Sequence, residues 1–345
     1  MGICPKSHAH YTSPEKNLQP TSCTQTKIAL LLPLSGPKAA LGQSLMDAAS
    51  LALFEGKSSH TLVLYPFDTN QPETLIEDIK TLSPSAIVGP IFSQDTKDLF
   101  PKIPQSIPIF TLSNDPELLD KGIFVMGVSP LDESRFLLNF ALKKGYKRFA
   151  ILLPETDLGR SLEKIAKDTF GSQKGTALHI LFYPLTEDPC IETVAKWARQ
   201  LNSFSLDAIF VPDSSPLTQK LIATLKFKDL RSKGLRFLGL SGWDKPSIFK
   251  DSTLRGLWIS THRSEPLRAF HKRFQKTFQT PSSPLEALLY DTIYFIGSSS
   301  SVTKPSLESH KTKGIYGLVK VNKNGAATRP WRVLEHTGRG IKLVQ

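Results

Sequence analysis

Two stretches of the chain, LLPLSGPKAALGQSL at 31–45 and LLPETDLGRSL at 152–162, repeat one frame: an apolar run stopped by a proline, a loop, then a glycine opening an amphipathic helix. The first copy has four more residues between proline and glycine than the second. A short apolar run closed by turn residues is the pattern of a strand buried on both faces, and a helix directly after it makes a βα unit. Such a frame, met twice, constrains the chain to two related halves.

The rest of the sequence extends the match. Strands are expected at 27–33, 61–67, 85–90, 107–113 and 123–129, and again at 148–154, 177–184, 207–212, 235–241 and 255–261. YPFDT at 65–69 answers YPLTED at 183–188, and AIVGPIFS at 86–93 answers AIFVPDSS at 208–215; matched prolines lie 121, 118 and 122 residues apart. That period is the size of a lobe, whereas solenoid repeats run ~20–50 residues. The 345 residues therefore divide into two α/β lobes built on parallel sheets. Leu41, Leu45, Ala48 and Ala52 share one helix face, as do Ile191, Val194, Ala198 and Leu201, so Met46 and Trp197 read as packing residues. After Thr261 come two helices at 265–278 and 283–300, a polar linker, and a β-meander punctuated by Lys323-Asn324-Gly325 and Thr337-Gly338.

No run approaches the ~20 apolar residues that span a bilayer. Residues 1–26, rich in Pro, Ser, Thr, Gln and His and without periodicity, read as a disordered leader that lacks the basic start and apolar stretch of a secretory signal. Cys4 and Cys23 lie there, far from Cys190, with no zinc-type spacing; three unpaired thiols is the plain reading, and Cys4 as a lipid-attachment cysteine the sharper one. The net charge of +12 is uneven: residues 1–225 hold 21 Lys+Arg against 23 Asp+Glu, and residues 226–345 hold 22 against 8. A basic half suits an acidic partner. The helical spacing of KFKDLRSKGLR and RAFHKRFQK makes a solvated surface the plainer explanation.

In open parallel sheets ligands bind beyond the carboxyl ends of the strands. That nominates the loops at 34–42, 68–72, 90–95 and 112–116, with 154–159, 185–190, 212–216 and 241–246 in the second lobe. GxSxG, HExxH, GxxxxGK[ST] and GxGxxG are all missing, so hydrolase, zinc-protease, phosphate-loop and dinucleotide readings lose their support, and neither metal nor cofactor is expected. Asp68 with Glu73, and Asp132 with Glu133, read as turn and helix-capping carboxylates. Ser35, Gly36, Ser93, Ser113 and Asn114 gather hydroxyls and backbone amides at neighbouring strand ends. Each serine alone is a helix cap; their coincidence points to a cleft for a small polar ligand.

KIALLLPLSGPKAALGQSLMDAASLAL, AIVGPIFS, IPIFTLSND, GYKRFAILLPETDLG, FLGLSGWD, EALLYDTI and GIYGLVKVNKNG together resemble type I periplasmic binding proteins of the leucine-binding kind. Within that family, LLPLSGPKAALGQ with GPIFS and SNDP is similar to the penicillin-binding protein activator branch, lipoproteins that regulate cell-wall synthases. The resemblance runs over roughly residues 27–345. It implies two Rossmann-like lobes joined by three crossovers, near 128–132, 260–264 and 315–320, and a periplasmic location. Lobe one would hold 27–130 plus 262–315, and lobe two 131–261 plus 316–345. In amino-acid-binding members the substrate carboxylate is held where Ser93, Leu112 and Ser113 stand. An acidic residue of the second lobe holds the ammonium group there, in a loop that here begins Ser241-Gly242-Trp243-Asp244. No carboxylate occupies its first position, although Asp244, or Asp213 beside Ser214, could reach in. This departure counts against amino-acid binding and agrees with the activator branch.

The expectation is a non-enzymatic cell-envelope protein that binds a penicillin-binding protein or a small-molecule ligand; on the sharper reading of Cys4 it also carries a lipid anchor. The alternative is a periplasmic solute receptor of an ABC importer for amino acids or small amides. A DNA-binding repressor would need a helix-turn-helix head for which the leader has no room, so no nucleic-acid partner is expected.

Overall fold

The computed structural model of the chain describes residues 25–56, 61–171, 175–184, 191–228, 230 and 234–344. Cys4, Cys23 and Cys190, and with them the expected leader and lipid-attachment site, lie outside the described residues.

The first half runs β1 (Thr26–Leu32), α1 (Ala39–Glu55), β2 (Leu62–Asp68), α2 (Pro72–Leu82), β3 (Ala86–Val88), α3 (Ser93–Leu99), β4 (Ile109–Thr111) and β5 (Ile123–Val125). The second runs α4 (Pro130–Lys143), β6 (Arg148–Pro154), α5 (Asp157–Gly171), β7 (Ala177–Tyr183), α6 (Ile191–Asn202), β8 (Ala208–Phe210), α7 (Pro216–Phe227), β9 (Arg236–Gly239), α8 (Pro246–Lys250) and β10 (Trp258–Thr261). Then follow α9 (Glu265–Phe278), α10 (Pro284–Ser298), α11 (Lys304–Ser309), β11 (Lys311–Gly314), β12 (Gly317–Val321), β13 (Ala327–Thr328), β14 (Arg332–His336) and β15 (Ile341–Leu343).

The first sheet is ordered β2-β1-β3-β4-β5, all parallel, and the second contains the same order, β7-β6-β8-β9-β10, extended by antiparallel β14 and β15. In each lobe the two leading strands pair over seven residues, Thr26↔Leu62 to Leu32↔Asp68 and Arg148↔Ala177 to Pro154↔Tyr183. The repeated frame is thus a repeated topology. Because each central strand is covered on both faces, its apolar run is continuous. Ile28, Leu30 and Leu32 point into the core shared with α1 and α10, while Ala29 and Leu31 meet Leu75, Ile79 and Leu99 on the other side. Strand β6 does the same, with Ala150 and Leu152 on one face and Phe149, Ile151 and Leu153 on the other.

The paired glycines have one physical cause. A Cβ on Gly42 would stand 2.1 Å from the carbonyl oxygen of Pro33, and one on Gly159 would stand 1.9 Å from that of Pro154. In both lobes the helix is laid so close to the end of the leading strand that only hydrogen fits.

The chain passes between lobes at 126–129, 262–264 and 329–331, the gaps between β5 and α4, β10 and α9, and β13 and β14. The third crossing comes later than the expected 315–320, and so the expected division at 315/316 moves with it. Val319 and Val321 of β12 are buried in the lobe-one core, Val125 N donates to the Gly325 carbonyl at 2.8 Å, and Ala326 bridges to Val125. The expected meander is therefore split: β11–β13 form a separate antiparallel sheet on lobe one, and β14 and β15 join lobe two. Strand β11, KTKG, was expected as polar linker; it has no apolar residue to signal a strand and exists by pairing with β12.

Gly42→Ala and Gly159→Ala should each destabilise the fold by roughly 1–3 kcal/mol, the usual cost of forcing an atom into a packed contact. Urea denaturation of both variants measures it, and unchanged midpoints would show that the helix can simply ride up on the strand end.

Candidate functional site

Order 2-1-3-4-5 puts a crevice where β1 and β3 diverge, at their carboxyl ends. In lobe one a cavity of about 410 Å³ opens just beyond β3 and β4. Ser93, at the start of α3, and Leu112, Ser113 and Asn114, after β4, all line it. Gly127 and Val128 of the first crossover, Pro284, Leu285 and Leu288 of α10, and Tyr316 close the other side. Gly127 is required there, because a Cβ would lie 2.1 Å from the Ser113 carbonyl oxygen. The cavity is walled mainly by apolar side chains, as small-molecule sites are.

Much of its polar wall is already committed internally. Ser93 Oγ donates to Asp115 Oδ2, and Lys97 Nζ stands 2.8 Å from the same carboxylate. Ser113 Oγ accepts from Asp115 N at 3.1 Å, and Ser113 N donates to Thr111 Oγ1 at 3.2 Å. Asp115 also caps the short turn at 116–118 by accepting from Glu117 N at 2.9 Å. Burial raises its pKa, but Lys97 and Ser93 outweigh that and hold it below the ordinary carboxylate value.

The other sequence-nominated residues lie elsewhere. Ser35 and Gly36 are not in the cavity wall; the Ser35 carbonyl accepts from Asn70 Nδ2 at 2.6 Å, tying their loop to the one after β2. Lys38, from the same loop, sits 3.7 Å from the centroid of the Phe92 ring, and Phe92 lines the cavity. Asp213 accepts from Ser215 N, Ser215 Oγ, Thr218 Oγ1 and Tyr183 OH, at 2.5–3.2 Å, and has little left for a ligand. Ser214 Oγ accepts from Lys245 Nζ at 3.3 Å. Trp243 is fully buried, and its Nε1 donates to the Val211 carbonyl at 2.9 Å; it is a core residue of lobe two. Asp244 binds Arg263 at 2.7 Å and accepts from Thr261 Oγ1 at 2.6 Å, so it braces the second crossover. Among the described residues no cluster of three His, Cys, Asp or Glu side chains could hold a metal ion.

Several buried titratable groups escaped the sequence reading. Arg329 Nη1 donates to the Met126 carbonyl at 2.9 Å, joining the third crossover to the first. His262 of the second crossover stacks on Trp331 at 3.7 Å and donates from Nδ1 to the Pro330 carbonyl at 3.0 Å. Burial pushes His262 down to about 4, so it is neutral at pH 7. Glu133, expected as a capping residue, is instead buried in lobe two. Ser129 is the cap, and Glu133 accepts from Ser241 N, Ser241 Oγ (3.1 Å) and Ser260 Oγ (2.6 Å). Its place in a helix first turn hid it, since capping acids occur there too.

Two like α/β lobes, three crossovers and a cavity at the strand ends define a binding protein of the type I periplasmic kind. The chain belongs to the periplasmic binding protein family, whose pattern matches residues 25–299. It is 27% identical over 177 residues to the penicillin-binding protein activator LpoA of Pasteurella multocida, covering 50% of this chain and 30% of that protein. An uncharacterized protein of Rickettsia prowazekii is 24% identical over 201 residues, 57% of this chain and 52% of its own. The chain thus spans about half or less of these relatives' lengths. Among solved structures, the LpoA C-domain of Haemophilus influenzae superposes with a TM-score of 0.71 at 18% identity, covering 92% of this chain and 100% of that one. A putative branched-chain amino acid ABC transporter protein of Rhodospirillum rubrum gives 0.76 at 16% identity, covering 93% and 100%. At such identities the superpositions establish the fold.

Glu133 makes this architecture pH-sensitive. Burial lifts it from 4.5 to about 7, against the lowering effect of the Ser260 and Ser241 hydrogen bonds. Below pH 4.5 both folded and unfolded chains carry its proton; between pH 4.5 and about 7 the unfolded chain gives it up while the folded chain keeps it, so relative stability falls by on the order of 3 kcal/mol and levels off above 7, where the folded chain buries the charge. Glu133→Gln should therefore flatten the decline in melting temperature between pH 5 and pH 8 and gain most at pH 8. An unaltered slope would remove Glu133 as its source.

Proposed function

We propose that the chain is a cell-envelope binding protein, without catalytic activity of its own, that docks on a penicillin-binding protein and regulates peptidoglycan synthesis. The observation that carries this reading is the commitment of the strand-end groups. Ser93 is bonded to Asp115, and Asp213 and Asp244 are spent within lobe two, so the serine and the two lobe-two acids that the sequence nominates for an amino acid are each engaged within the protein. The relatives named penicillin-binding protein activators support it, as does the superposition on the LpoA C-domain, described as a regulator of PBP1A. A periplasmic location accords with the family, and among the described residues no helix is long and apolar enough to cross a membrane. A lipid at Cys4 would hold such a regulator beside membrane-bound synthases. The second reading, a solute receptor for an importer, is favoured by the 410 Å³ cavity.

Added to a purified bifunctional penicillin-binding protein, the full chain should bind it and raise its rate of glycan polymerisation several-fold, while calorimetry with the twenty amino acids shows no heat. Absence of synthase binding, together with tight binding of a free amino acid that Ser93→Ala abolishes, would replace the regulator with the receptor.

A further inference from the structure

The small sheet of β11, β12 and β13 lies on lobe one beside β5 and has two unlike faces. Val319 and Val321 point inward to the lobe-one core, and Gly314 sits against Asp291. Lys311, Lys313, Leu318 and Lys320 point outward and are all exposed, and Lys323 is exposed in the turn that follows. The register sets Lys311 directly across from Lys320, and Lys313 across from Leu318. Opposed residues of antiparallel strands have Cα atoms ~4.5–5.5 Å apart, and residues two along a strand about 7 Å apart, so the ammonium groups crowd one patch.

Like charges directly opposite each other destabilise a sheet. Among the described residues no carboxylate lies within ion-pair distance of these lysines, and the sequence holds no Asp or Glu between Glu308 and Glu335. The border of the patch carries Glu308 of α11 and Asp120, whose N–H donates to the Asn324 carbonyl at 2.9 Å, but also Lys304 and Lys121, so the charge stays positive. Lysines on an edge strand commonly keep it from pairing with another chain. That accounts for Lys311 and Lys313 on edge strand β11, and not for Lys320 on central β12 or Lys323 in the turn.

The residue types describe the partner. Protein interfaces favour arginine and aromatic side chains and are poor in lysine. The arginine fork selects one fixed anion, whereas lysine is a point charge on a flexible stem. A patch of lysines without arginine or aromatic rings suits many mobile anions in a plane. Leu318, 52% exposed among them, adds an apolar tip that a headgroup layer can receive and a soluble polyanion cannot.

We propose that the outer face of β11 and β12 rests on a bilayer rich in anionic phospholipid, with its lysines among the headgroup phosphates and Leu318 at the acyl boundary. The inference goes beyond docking on a synthase. It rests on the cell-envelope reading of the chain, and vesicle binding is measured with no synthase present, so either can fail alone.

Flotation of the full chain with phosphatidylcholine vesicles, with and without about one-third phosphatidylglycerol, tests it; only the anionic vesicles should carry the protein. Each lysine near such a surface contributes roughly fivefold, so Lys311→Gln/Lys320→Gln should weaken binding about 25-fold. Lys313→Gln/Lys323→Gln, outside the opposed pair, should lose as much, while Lys143→Gln/Lys147→Gln on lobe two should change it less than about twofold. Because the first pair relieves an opposed like charge, its melting temperature should stand level with or above that of the wild type, which separates lost binding from lost folding. Leu318→Ser should weaken vesicle binding several-fold and leave binding to soluble polyphosphate unchanged. No binding to phosphatidylglycerol vesicles overturns the proposal, as do equal losses in the lobe-two pair, which would assign the attraction to net charge alone. A Leu318→Ser protein that binds vesicles as wild type does, with polyphosphate bound equally well, overturns the bilayer in favour of a soluble polyanion.

Discussion

The two-lobed arrangement turns on one buried charge. The Arg329 side chain is 2% exposed, and removing a guanidinium from water costs several kcal/mol unless its partners are in place. Those partners come from different parts of the chain: the Met126 carbonyl of the first crossover, Asp291 of α10 at 3.9 Å, and the face of Tyr316 at 5.6 Å. At that separation the link to Asp291 is electrostatic, and Arg329 Nε and Nη2 make no hydrogen bond. The third crossover leaves lobe one where these three groups meet. Asp291 is fixed in turn, accepting from Ile315 N at 2.7 Å and filling the space above Gly314, where a Cβ would lie 2.0 Å from its Oδ1. Ser264 Oγ of the second crossover donates to the Ile315 carbonyl at 2.7 Å, so all three connections belong to one packed unit.

Much of this fold is written in local pattern. Ten apolar runs become ten strands, the central ones covered on both sides and β2 and β7 half-buried at the sheet edges, and the proline-to-glycine frame marks the same helix-on-strand contact in each lobe. What local pattern does not carry is the partner of a charge. Asp115 in SNDP looks like a turn residue, and it is one; that it also seats itself against Ser93 depends on how β3 and β4 lie side by side. Glu133 resembles its neighbour Asp132, yet one pairs with exposed Arg135 and the other is buried against Ser241 and Ser260. Trp243, nominated as a cleft aromatic, is drawn inward because Gly239 leaves room for its indole: a Cβ there would be 2.5 Å from the ring. The late third crossover follows the same rule, since Val319 and Val321 alternate as any strand would and only the docking of Gly325 on β5 decides their sheet.

The four extra residues of the first loop distinguish the lobes in what their strand-end loops contact. In lobe two the short loop is satisfied at once, with Glu155 N bonded to the Tyr183 carbonyl and Thr156 Oγ1 accepting from Gly159 N. In lobe one the longer loop makes a short turn at 36–38 and carries Lys38 out over Phe92, at the rim of the cavity. The cavity's walls come from lobe one and the crossovers, which has a mechanical consequence. An occupant would press on Val128, two residues beyond Met126, and on Tyr316, whose ring faces Arg329. Whatever shifts those two shifts the contacts that determine how the lobes are joined.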